Sequence, residues 1–198
     1  MDYSARKDGS VLAWYDQTNS GFYIGGNGGK IIAGSSLKYA LGGGTRVDAI
    51  HGLELLDVSN VTDMSYMFSG CGHYSDVFTL DLGDNFDTSN VTNMQSMFQS
   101  CGRGDESFTL DLGDKFDTSK VTNMAWMFQY CGAGSKVFTL DLGDKFDTSK
   151  VTDMSHMFYY CGQNCETFTL DLSGCNFDTS SCKSMRDMFA SCGEGNEN

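Results

Sequence analysis

Phe78-Thr79-Leu80-Asp81-Leu82-Gly83-Asp84 returns residue for residue at 108–114 and 138–144, and its first five residues return at 168–172. The stretch that follows it keeps the same offset of 30: Phe86-Asp87-Thr88-Ser89-Asn90-Val91-Thr92-Asn93-Met94 reappears at 116–124 and 146–154, and from Phe177 after a one-residue insertion. A fixed period of this length means that one supersecondary unit is stacked on copies of itself, as in a solenoid, propeller or array.

The first stretch alternates apolar and polar residues, so Phe78, Leu80 and Leu82 are expected inside and Thr79 and Asp81 in water, as on a strand. Val91, Met94, Met97, Phe98 and Cys101 then advance by three, three, one and three, which predicts one buried face of a short helix. Thr88 or Ser89 suits its N-cap, Asp87 suits the positive end of its dipole, and Gly102 suits its C-terminal stop. The expected fold is α/β, a leucine-rich-repeat-like solenoid with one short parallel strand and one short helix per unit. Strands stack about 4.8 Å apart and helices about 10 Å, so such an array curves into a horseshoe-like arc.

Outward from the repeats, residues 1–34 are expected to form a β-hairpin cap. Val11-Leu12-Ala13-Trp14-Tyr15 and Phe22-Tyr23-Ile24 flank the turn residues Thr18-Asn19-Ser20-Gly21, and a hairpin protects the first edge of a stack. Residues 35–198 form the solenoid: a degenerate unit at 35–56, then units starting near 57, 87, 117, 147 and 178, the last incomplete. Ser36, Leu37, Ala40, Leu41 and Gly44 are aligned with the Thr, Met, Met, Phe and Cys positions of later units.

The chain of 198 residues carries a net charge of -13, with 26 acidic side chains against 13 basic ones. No basic stripe interrupts that field, so nucleic acid is not an expected partner. The first nine residues lack the apolar centre of a signal peptide, and no run of about 18 apolar residues suggests membrane insertion. Proline is absent, which suits regular stacking.

The phrase Phe-Asp-Thr-Ser-x-Val-Thr-x-Met-x-x-Met-Phe at residues 86–98 resembles the repeat of BspA-like leucine-rich repeat bacterial surface proteins, and the likeness spans about residues 35–192. The unit here is longer than in many members, and the asparagine of standard leucine-rich repeats is missing. The resemblance implies a secreted or cell-surface module that attaches to host or neighbouring-cell proteins. A spacer that carries some other domain away from a cell wall is the alternative.

Because the scaffold is constant, positions that vary between units carry the binding expectation. Tyr66, Ser96, Trp126, His156 and Asp187 share one outward place, with Tyr130, Tyr159 and Tyr160 nearby, and aromatics are favoured anchors of protein interfaces. Arg103-Gly104-Asp105 lies in the loop aligned with Tyr74 and Ser75 and is expected to be exposed, which adds an integrin as a candidate partner. Thr79, Thr109, Thr139 and Thr169 form a ladder like that of some ice-binding solenoids, but Asp at the next outward place argues against that use.

Among the eight cysteines, Cys71, Cys101, Cys131, Cys161 and Cys192 recur at one core position and are expected as buried thiols. Neighbours in that row are expected to stand too far apart for disulfides, and Cys165 with Cys175 is the first choice if a bridge exists. The repeated Asp81, Asp84 and Asp87 raise calcium, with hydrogen-bonded turn carboxylates as the preferred alternative. No metal, cofactor or catalytic residues are expected: His51, His73 and His156 lie in unrelated contexts, and Gly25-Gly26-Asn27-Gly28-Gly29-Lys30-Ile31 lacks the spacing of a phosphate-binding loop.

Overall fold

The computed structural model describes residues 11–18, 20–26 and 30–196. Its nine strands begin with the antiparallel hairpin of β1 (Val11–Asp16) and β2 (Gly21–Gly26), followed by β3 (Ile31–Ile32), β4 (Ala49–His51) and β5 (Leu56–Asp57). The repeats supply β6 (Val77–Asp81), β7 (Ser107–Asp111), β8 (Val137–Asp141) and β9 (Thr167–Asp171). One sheet runs β1-β2-β4-β6-β7-β8-β9, and everything after the hairpin is parallel.

Alternation works as expected in the strands. Phe78, Leu80 and Leu82 are buried and Thr79 and Asp81 are exposed. Phe78 pairs beside Phe108 and Phe138 beside Phe168, and the four rings stack with centroids 5.0 to 5.8 Å apart. A second column, Phe68-Phe98-Phe128-Phe158-Phe189, stacks at 5.2 to 5.7 Å on the far side of the core.

The helices are corrected. Among the described residues there is no α-helix, only a 3-10 turn at Leu53–Leu55, so the fold is a β-solenoid and not α/β. In the segment read as a helix, the amides of Met64, Tyr66, Phe68 and Gly70 donate to Asn93, Gln95, Met97 and Gln99 of the next coil. Those of Met67 and Cys71 fold back to Met64 and Phe68, three residues earlier. Tyr66 and Gly70, each third in its four-residue turn, have φ of 59° and 74°, as in type II turns. A step of three residues brings side chains to one side in such a chain of turns as it does in a helix, so the steps from Val91 to Met94 to Met97 and from Phe98 to Cys101 fit both. Coil-to-coil hydrogen bonds decide between them, since a turn side paired at strand spacing matches the sheet side. The mismatch that predicted a horseshoe arc is therefore absent.

The predicted caps take other work. Thr88 is buried, donating its hydroxyl to the Asp117 carbonyl and accepting the Asp117 amide, and Thr118 does the same with Asp147. Asp63, Asn93, Asn123 and Asp153 form a ladder of bridges begun by Ser36, and each accepts the amide two residues on. Ser36 thus stands beside Asp63, one place further along than the expected threonine.

Candidate functional site

On the turn side of the coils, one place holds Tyr39, Tyr66, Ser96, Trp126, His156 and Asp187, all with φ between 52° and 59°. Tyr39 and Asp187 are exposed and Tyr66, Trp126 and His156 half-buried, but Ser96, expected outward, is buried. Left-handed backbone costs an ordinary residue about 1–2 kcal/mol relative to right-handed, and a glycine there would avoid that penalty. The neighbouring column, from Gly70 through Ser100, Tyr130 and Tyr160 to Ser191, repeats the pattern. Bulky side chains are thus held on this face against a local backbone cost.

They cluster toward the later coils. Trp126 stacks on His156 at 5.6 Å, Tyr130 stacks on Tyr160 at 4.8 Å, and Tyr159 meets His156 and Tyr160 edge-on at 5.3 and 4.2 Å. Arg103 covers the Tyr130 ring from 4.7 Å, and Asp187 stands 3.4 Å from His156 Nε2. The hydrogen bond to Tyr160 pushes the Tyr159 phenol up to about 12, so it stays neutral at the pH where an ordinary tyrosine ionises. A smaller patch opens the same strip, where Tyr39 stacks on Tyr66 at 4.6 Å beside the Lys38 ammonium. Gln95, bonded to the Tyr66 hydroxyl, and the Gln99–Gln129 pair fill the space between patches. Sequence reading missed Tyr39; its alignment one unit before Tyr66 was the signal.

The loops after each Cys-Gly form a groove of about 600 Å³ lined by His73, Tyr74, Arg103, Gly104, Gln163 and Asn164, among others. Tyr74 is exposed and stacks on His73 at 4.3 Å. The expected exposure of Arg103-Gly104-Asp105 is corrected at its last residue, because Asp105 is 1% exposed and neither carboxyl oxygen has a hydrogen-bond partner. Its neighbours in the column, Ser75, Ser135 and Cys165, each donate to a carbonyl of the preceding coil. Burial first, then the charges of Asp48 and Asp76, push the Asp105 carboxyl up to about 7. A partner reading the tripeptide as one unit would meet Arg103 and Gly104 but not the carboxylate.

All eight cysteines are free thiols. Cys165 and Cys175 lie beyond opposite ends of β9, a five-residue strand of about 16 Å, so that bridge does not form. Cys71, Cys101, Cys131 and Cys161 are fully buried, and burial raises each thiol. Neighbouring cysteines of this row stand at strand spacing rather than the helix spacing expected, because the coils that carry them are paired by backbone hydrogen bonds. Asp81, Asp111, Asp141 and Asp171 each accept the amide two residues on. Among the described residues no three His, Cys, Asp or Glu side chains converge as a metal site.

Among the described residues no helix is long and apolar enough to cross a membrane. No curated protein and no solved structure matches the chain. A family model described as "Mycoplasma protein of unknown function, DUF285" matches residues 36–137 and 73–198, and the chain belongs to that family.

Proposed function

We propose that the chain is a non-catalytic, protein-binding module of a secreted or cell-surface protein, adhesin-like in role, whose contact surface is the aromatic strip of the turn side. The observation that carries this reading is the set Trp126, Tyr130, His156, Tyr159 and Tyr160, gathered on adjoining coils with Arg103, four of the six in left-handed backbone. Aromatic and arginine side chains supply most of the binding energy in protein interfaces, and packed rings lose little conformational freedom on binding. The resemblance of residues 86–98 to BspA-like surface repeats supports the same role. The contact is placed on the strip and not on Arg103-Gly104-Asp105, since the Asp105 side chain is turned inward.

Immobilised chain incubated with extracellular-matrix and cell-surface extracts tests this. Trp126→Ser, Tyr130→Ser and Tyr159→Gln install the residues that the preceding coil carries at the same places, Ser96, Ser100 and Gln129, so the fold is retained. Captured protein should be lost in the triple variant while its melting curve stays cooperative. Capture of the same protein by the variant, or none by the parent, favours a spacer.

A further inference from the structure

Among the described residues the solenoid is covered at one end and open at the other. The hairpin β1–β2 lies against β4, while β9 has β8 on one side and a free edge on the other. On the last coil Met185 is 47% and Phe189 41% exposed, although their counterparts one coil earlier, Met154 and Phe158, are 0% exposed. Thr167 donates its amide to the Lys136 carbonyl of the preceding coil. By strand alternation, the amide and carbonyl of Phe168 and Leu170 then point to the open edge.

We propose that two copies of the chain join tail to tail, each β9 pairing antiparallel with the other about a two-fold axis at Thr169. In that register Phe168 exchanges both backbone hydrogen bonds with Leu170 of the second copy, and Leu170 with its Phe168. Thr169 faces itself in the non-hydrogen-bonded position, where side chains come closest. Asp171 meets a threonine, Thr167, whereas a further parallel coil of the same repeat would set another aspartate beside it, as Asp141 already is. The same axis brings the end coils together, and Met185, Phe189, Phe177 and Met188 lose contact with water. Lys183 and Arg186 occupy places held by Thr152 and Ser155 in the coil before; Arg186 already pairs with Asp187 of its own coil, and Lys183 offsets part of the charge of Asp171, Asp178 and Glu194 at an interface between two acidic molecules. The contact is isologous and closes at two copies; addition of β9 onto the β1 edge would instead grow without limit.

Sedimentation equilibrium of the 198-residue chain, over a concentration range from micromolar to near-millimolar, reads the outcome. A two-chain mass is expected. Thr169→Lys, which sets two ammonium groups opposite each other at the axis, should weaken the dimer by at least about tenfold. Thr139→Lys, the same change on the interior strand β8, should leave the dimer intact. Thr169→Cys, oxidised in air, should yield on mapping a peptide disulfide-linked to its own copy through the substituted position. A single-chain mass throughout, a dimer indifferent to Thr169→Lys, or species that lengthen with concentration would each overturn the proposal.

Discussion

At position 105 a carboxyl occupies a buried place where the adjoining coils carry hydroxyls and a thiol, and its protonation links stability to pH. An ordinary aspartate titrates near 3.8 and the folded Asp105 near 7, so the folded state holds a proton that the unfolded chain has released. Stability from this site is therefore greatest below about pH 4, falls as pH rises to about 7, and is level above that. Asp105→Ser installs the residue of the neighbouring coils, with its donor to the preceding carbonyl. It should melt above the parent at about pH 8, with a gap that closes toward about pH 4; a gap independent of pH would remove the account. Position 105 was legible only in part. Its loop is rich in polar residues, yet Ser75, Ser135 and Cys165 in the same column are small groups suited to a buried place, and the charge of Asp105 masked that pattern. The cysteine row was easier to read, and it makes its own forecast. Cys192 is partly exposed, and its hydrogen bond with Cys161 lowers its thiol, while Cys71, Cys101 and Cys131 are buried and raised. Under native alkylation of the dilute, single-chain form, in which the end coil is uncovered, Cys192 should react well before those three, as peptide mapping by mass would record.

Elements divided cleanly in how far sequence could specify them. The strands were readable because period two has one structural meaning, and Phe78, Leu80 and Leu82 lie where alternation put them. The turn side was not, since a three-residue step is shared by helices and by successive tight turns, and only bonds to a neighbouring coil distinguish them. Its variable aromatics other than Tyr39 were still identified, because a place that varies between copies of a constant scaffold lies off the shared core in either conformation. The turns themselves can be tested through their glycines. Gly132 and Gly143 both have left-handed backbone, with φ of 62° and 73°; a Cβ on Gly132 would run into the Phe138 ring, while one on Gly143 would meet open space. Gly143→Ala should cost about 1 kcal/mol, the backbone penalty alone. Gly132→Ala adds overpacking of the core and should cost about 3 kcal/mol or more. Equal losses in denaturant titrations would show that the turn does not press on the phenylalanine column.

For the whole molecule, stacking in register repeats every favourable contact and every unfavourable one. The phenylalanine columns gain from this, while the outer face of the sheet sets Asp81 beside Asp111 and Asp141 beside Asp171, in a chain already at a net charge of -13. Like charges directly opposite on a sheet destabilise it. The acids persist because each carboxylate oxygen fixes the turn after its strand by accepting the amide of Gly83, Gly113, Gly143 or Ser173. Asparagine keeps that carbonyl acceptor and removes the charge, so the two roles can be separated. Asp111→Asn with Asp141→Asn should raise the melting temperature in dilute buffer. Added salt screens exposed charges more than about a Debye length apart and weakens closer repulsion less completely, so the parent should gain stability with salt and the double variant should gain less. The melting curves should thus converge at high salt. If the variant instead melts lower at every salt concentration, the ionised carboxylate is a much better turn acceptor than the amide, and the aspartate columns stabilise the solenoid despite their repulsion.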